Sequence, residues 1–226
     1  HGICESWAWC CGCSPCGCKG GTQVACYIFG AGGFYGLPQR PAAGDTVIAA
    51  DGGWRWCRSA GLTPDLLLGD FDSLGYIPKG LRVAQFSSHK DKSDMELALD
   101  RARSMRYDEV YVYGGLGRRL DHTLANLQLF ALFSEKGLFV TAVDEDTSVV
   151  FITGPDTFEM PAVEAGTVSV FSMNDRAEGV FERGLAYELD DAVLTNRTSL
   201  GLSNELIGEA VMIGVEKGTI AIFLPL

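Results

Sequence analysis

Four times in the first half of the chain, an apolar run of strand length stops on glycine or aspartate. The runs are CYIFGAGG (26–33), VIAADGG (47–53), LLLGDFD (66–72) and VYVYGG (110–115). A run that is apolar at successive positions, rather than at alternate ones, suits a strand buried on both faces. Helical patterns lie between these runs. WRWCRSAG (54–61) is short, and SDMELALDRARSMR (93–106) opens with Ser93 three residues before Glu96, a capping-box spacing. RRLDHTLANLQLFALFSEKG (118–137) is the longest. Strands alternating with helices predict an α/β N-terminal domain with a parallel sheet covered on both faces.

The pattern changes after about residue 138. LFVTAVD, TSVVFIT, GTVSVFSM, AVMIGVE and GTIAIFLPL are short β-rich runs separated by Gly, Asn and Asp, with no long helical pattern between them. They predict an antiparallel β-sandwich C-terminal domain. The expected division is a Cys-rich leader at 1–22, an α/β domain at 23–140 and a β-sandwich at 141–226. Seven of the eight cysteines lie in the first 26 residues. Their C-x-C and C-x-x-C spacings could hold a soft metal, but the segment has no periodicity. It is expected to be a leader, tag remnant or poorly ordered extension. Scarcity of cysteine elsewhere fits a reducing cytoplasm.

Composition excludes several classes. With 47% hydrophobic residues the chain can bury a substantial core. A net charge of −11 without Lys/Arg clusters argues against nucleic acid as a partner. No apolar stretch approaches the roughly 20 residues a bilayer requires.

In a parallel sheet, ligands bind beyond the carboxyl ends of the strands, where the Gly and Asp residues fall. Asp70 and Asp72 are two positions apart and share a face if the strand continues. Two like charges facing one way repel unless a cation lies between them, and Mg²⁺ takes one or two carboxylates together with substrate phosphates. The alternative is that the pair makes a turn. Asp91 and Asp94 lie at the start of the 93–106 helix, where they also suit a helix N-terminus. In GGLGRRLDHTLANLQL (114–129), glycines permit close approach of phosphate to the backbone, and Arg118 and Arg119 offer guanidinium forks. A capped helix with solvated arginines is the alternative there.

The stretches ADGG, GDFDS, HKDKSDMELAL, GGLGRRLDHTLANLQL and SLGLSNE occur in the order and rough spacing of the thiamine pyrophosphokinases, and the chain resembles that family from about residue 24 to 226. The resemblance implies a homodimer with active sites at the subunit interface. It implies transfer of the pyrophosphoryl group of ATP to the hydroxyethyl oxygen of thiamine, with Mg²⁺ as cofactor and AMP as product. By motif match it implies Asp70, Asp72 and Asp94 as metal ligands. Asp51, Gly52, Gly53, Gly115, Arg118 and Asn126 would lie at the nucleotide, with Lys92 as a further phosphate contact. Arg119 would act on the phosphates, and Asp72 or Asp121 would accept the hydroxyl proton. Ser199, Ser203 and Asn204 would meet the thiamine pyrimidine ring. Trp54, Trp56 and FLPL are either core residues or walls for thiamine. Two positions depart from the family pattern: Arg118 replaces a glycine, and Ser93 replaces a threonine. Rival readings are a pyrophosphokinase of the same fold acting on another hydroxyalkyl heterocycle, and a non-catalytic nucleotide- or thiamine-binding regulator.

Overall fold

Burial on both faces is what the first-half runs achieve. The computed structural model describes residues 24–69, 82–85 and 91–226. In it β1 (Cys26–Phe29), β2 (Thr46–Ala50), β3 (Leu66–Gly69), β4 (Val83–Gln85), β5 (Glu109–Tyr113) and β6 (Phe139–Val143) form a parallel array. Every residue of β1 and β5 is buried. Glu109 is the polar exception, and it accepts a hydrogen bond from the Tyr111 hydroxyl at 2.6 Å.

Helices cover both faces. A 3-10 turn at Asp51–Gly53 leads into α1 (Trp54–Ser59), which packs on one face against Tyr27, Phe29, Ala49 and Leu67. The opposite face carries α2 (Asp94–Ser104) and α3 (Leu120–Glu135), whose Leu99, Phe130 and Phe133 meet Ile28, Ile48 and Val112. Phe130 and Phe133 are fully buried, and each contributes about 1.5–3 kcal/mol of burial free energy. The predicted start of α2 is realised, with the Glu96 N–H donating to Ser93 Oγ at 3.2 Å. Asp94 and Glu96 occupy its first turn and Arg101 and Arg103 its last, all complementing the helix dipole.

β6 joins the two halves. On one side it lies parallel to β5, and on the other it pairs antiparallel with β7 (Thr147–Thr153). The next strands are β8 (Asp156–Met160), β9 (Thr167–Ser172), β10 (Ala177–Arg183) and β11 (Leu189–Leu194). They are followed by β12 (Asn204–Glu205), β13 (Val211–Val215) and β14 (Thr219–Pro225). Beyond β7 the main sheet continues through β14, β9 and β12, giving ten described strands in the order β12-β9-β14-β7-β6-β5-β1-β2-β3-β4. A second, antiparallel sheet, β11-β10-β13-β8, packs over Val150, Ile152, Val168 and Ile220 with its own Phe158, Val180 and Ile213. The α/β part and the antiparallel sandwich are both as predicted. One layer of the sandwich is the extended edge of the parallel sheet itself. TSVVFIT explains why. Val149 and Phe151 join the core beneath α3, while Val150 and Ile152 point into the sandwich.

Candidate active site

Strand order locates the cleft. From β1 the chain winds outward through β2, β3 and β4, then returns to place β5 on the other side of β1. The carboxyl ends of β1 and β5 therefore flank the point where the winding reverses, the position at which open α/β sheets take ligands. An open cleft of about 360 Å³ lies there. Its floor is two glycine-rich loops hydrogen-bonded to each other. The Gly30, Gly32 and Gly33 N–H groups donate to the carbonyls of Tyr113, Gly114 and Leu116 at 2.8, 2.7 and 2.9 Å. A Cβ on Gly30 would lie 2.5 Å from the Gly114 oxygen, and one on Gly114 only 2.4 Å from the Gly30 oxygen. Close approach of two backbones requires glycine at both positions.

The walls come from the ends of β2 and β5 and from α2 and α3. Asp51, in the left-handed region at φ 45°, stands after β2, and Ser93 and Asp94 open α2. Gly115, Gly117, Arg118 and Arg119 follow β5, and His122 and Asn126 project from α3. Asn126 is buried, and its Nδ2 donates to the Gly115 carbonyl at 2.6 Å, tying the glycine loop to the helix. Thr123 Oγ1 adds bonds to the Gly117 and Arg119 carbonyls at 3.4 and 3.1 Å. Arg119 closes a two-point fork on Asp121, Nε to Oδ1 at 3.2 Å and Nη2 to Oδ2 at 2.6 Å. The fork holds the Asp121 carboxyl below its ordinary pKa. Arg118 has no carboxylate partner among the described residues. Its guanidinium lies over the Trp56 ring, 5.3 Å from the centroid, and Phe34 also stacks on Trp56 at 5.6 Å. The backbone at Arg118 is left-handed, φ 56°, which gives a physical reason for a glycine in the family pattern at that position.

Of the residues singled out from sequence, Asp51, Asp94, Gly115, Arg118, Arg119 and Asn126 all line this one cleft. Asp121 joins it through Arg119. Gly52 and Gly53 are buried behind the wall, and a Cβ on Gly53 would lie 1.8 Å from the Phe29 oxygen, so packing alone requires glycine there. Lys92 turns away to Asp100 and Glu96 of α2, which raise its pKa. Trp54 and Trp56 pack against the core beneath α1. Asp70 and Asp72 lie outside the described residues, as does the leader at 1–22. Among the described residues, no three His, Cys, Asp or Glu side chains converge as a metal site. Asp51 and Asp94 are nevertheless hard oxygen donors beside a glycine floor, a donor type that fits Mg²⁺.

The sequence did not single out Ala31 and Met95 as cleft lining, nor Asp144 beside it. Asp144 follows β6. Its Oδ1 is buried without a hydrogen-bond partner among the described residues, 3.4 Å from where a Cβ on Gly117 would lie. Burial raises its pKa. A carboxyl-end Asp in VDED was the available signal.

Ser199 and Ser203 lie on a separate loop at the edge of the sandwich, and Asn204 opens β12 directly after it. Ser203 is left-handed at φ 59° and its N–H donates to Ser169 Oγ at 3.0 Å. Leu200 and Leu202 on the same loop are about half exposed.

A doubly wound sheet with an acid- and arginine-walled cleft at its reversal point, continued into a β-sandwich, defines a two-part α/β enzyme class. Comparison with known proteins narrows it. The family model for the thiamin pyrophosphokinase catalytic domain matches residues 40–141, and that for its vitamin B1 binding domain matches 157–220. The chain belongs to the thiamin pyrophosphokinase family and is an enzyme of that type. It is 26% identical over 178 residues to a thiamine pyrophosphokinase of Bacillus subtilis (strain 168), covering 76% of this chain and 83% of the relative. The crystal structure of thiamine pyrophosphokinase from Bacillus subtilis superposes with a TM-score of 0.78 at 25% identity, covering 89% of this chain and 98% of that one. Thiamin pyrophosphokinase from Candida albicans shares the fold at 12% identity, with a TM-score of 0.68 over 90% of this chain and 89% of that one.

Proposed function

We propose that the chain transfers the β,γ-pyrophosphoryl group of ATP to the hydroxyethyl oxygen of thiamine, releasing AMP. The observation that carries this reading is the convergence of Asp51, Asp94, Arg118 and Arg119 on one glycine-floored cleft at the sheet's reversal point, in a chain of this family. Phosphoryl-group transfer depends mainly on positioning and on offsetting charge over phosphate oxygens. The Gly115–Gly117 loop, fixed by Asn126, would orient the triphosphate. Arg118 would hold it by charge, and Arg119, released from Asp121, would offset charge on the transferring group. Asp94, with Asp70 and Asp72, would hold Mg²⁺, which supplies charge neutralisation when bound. Asp72 or Asp121 would accept the hydroxyl proton. Ser199, Ser203 and Asn204 would bear the thiamine ring.

The same reading makes the chain a cytoplasmic homodimer. Exposed Leu120 and Leu124 at the start of α3, and Leu200 and Leu202 on the serine loop, are apolar surface that a second copy would cover. The buried free thiols of Cys26 and Cys57 suit a reducing compartment.

The test is AMP release from ATP, with and without thiamine and with and without Mg²⁺. AMP formation dependent on both supports the reading, and thiamine binding without AMP production refutes it. Asp72→Asn and Asp94→Asn should each abolish turnover while the variants still unfold in a cooperative transition.

A further inference from the structure

A carboxyl group lies inside the sandwich, away from the cleft. Glu182, on β10, is fully buried. Its Oε2 accepts from Asn204 Nδ2 at 2.8 Å, while Oε1 has no partner among the described residues and lies 3.6 Å from where a Cβ on Gly201 would be. Such a group is a costly tenant, because a well-packed apolar residue of the same volume leaves no polar atom to desolvate. Burial pushes its pKa up, against a smaller opposing effect of the Asn204 hydrogen bond. The charged groups nearby are engaged elsewhere or exposed. Arg183 pairs with Asp190, Glu188 accepts from the Gly184 N–H, and Glu205 is exposed. The neighbouring β9 and β13 carry no charged residue.

Asn204 is the partner that gives Glu182 a purpose. Besides Glu182, its Nδ2 donates to the Tyr187 carbonyl at 2.7 Å, and its Oδ1 accepts from the Tyr187 and Glu205 N–H groups at 3.0 and 2.9 Å. Two donors and two acceptors are thus all used within the chain, so the amide has no remaining capacity for a ligand. Its ring-like set of bonds instead fixes where the Ser199–Ser203 loop enters β12. We infer that Glu182 is a positioning residue, acting through Asn204 to hold the Ser199–Ser203 loop in the geometry that receives thiamine. This rests on the placement of thiamine at that loop in the proposed function. It reassigns Asn204 from a ligand contact to the anchor of the serines beside it.

The test uses the full chain, with AMP release measured while thiamine and ATP are varied separately. Glu182→Leu and Glu182→Ser remove the acceptor for Asn204. Either variant, where folded by its melting curve, should raise the thiamine KM about tenfold and leave the ATP KM and kcat within about twofold. Glu182→Gln keeps an acceptor and should restore the thiamine KM. An unchanged thiamine KM in a folded truncation, or ATP and thiamine KM rising together, overturns the inference. So does a series in which no truncation folds while Gln behaves as wild type, which would assign Glu182 to the fold alone. Ser203→Ala separates the two levels. If it raises the thiamine KM while the Glu182 truncations do not, only the positioning role fails. If neither variant moves it, the placement of thiamine on this loop fails as well.

Discussion

Two substitutions at Arg118 separate what its backbone costs from what its charge does. The residue is held at φ 56°, where a side chain costs about 1–2 kcal/mol relative to the right-handed region. Its guanidinium over Trp56 returns about 0.5–1 kcal/mol as an exposed cation–π contact. Arg118→Ala keeps the Cβ and the left-handed penalty and loses the contact, so it should destabilise by about 0.5–1 kcal/mol. Arg118→Gly loses the same contact but removes the penalty, and should be more stable than the Ala variant by about 1 kcal/mol. For a chain of this size that is roughly 2–4 °C between the two melting transitions, the reverse of the order in a helix interior. Both variants lose the same charge beside the cleft, so the ATP KM should rise by the same factor in each, about tenfold. Thermal denaturation followed by circular dichroism gives the first comparison, and AMP release with ATP varied gives the second. An Ala variant as stable as the Gly variant would refute the backbone account. Unequal ATP KM values would refute the assignment of the nucleotide effect to charge alone.

Asn126→Ala leaves the buried Gly115 carbonyl without its donor; it should cost about 1–3 kcal/mol in denaturant unfolding and lower turnover at least tenfold as the glycine loop loosens. Ser93→Ala removes the acceptor for the Glu96 N–H and should cost about 1 kcal/mol, read as a lower denaturation midpoint. The raised pKa of Glu182 means that the folded state keeps a proton the unfolded chain has released. Stability should therefore decline as pH rises from the ordinary glutamate range through the raised folded value. Urea midpoints compared at about pH 5 and about pH 8 should fall more for wild type than for Glu182→Gln, whose side chain does not titrate.

The parallel half was legible because its strands are buried on both faces, and unbroken apolar runs such as CYIF and VYVY have few other uses. Of the second sandwich sheet only AVMIGVE, which became β13, was legible, and its other three strands were hidden by the converse condition. AEGVFER became β10 and LDDAVL became β11, strands with one face inward and one exposed, so their charges interrupt any run. In β8 only Phe158 and Met160 of DTFEM turn inward, too short a signal to stand out. Individual cleft residues and their place at strand ends were readable, but which strand ends adjoin was not. The reversal between β1 and β5 is fixed by pairings between Cys26–Phe29 and Val110–Tyr113, more than eighty residues apart in the chain. Local pattern carries no information about that neighbourhood. Asn204 shows the opposite failure, since an exposed-looking polar triplet near the C-terminus conceals an amide saturated by bonds to its own chain.

The main sheet's unbroken hydrogen-bond ladder, passing from the nucleotide side to the sandwich side through β6, has a mechanical consequence. Neither half can swing about a flexible joint without tearing paired strands apart. Any tightening around bound molecules must then be local, in loop backbones and swivelling arginines, with the framework acting as a fixed jig.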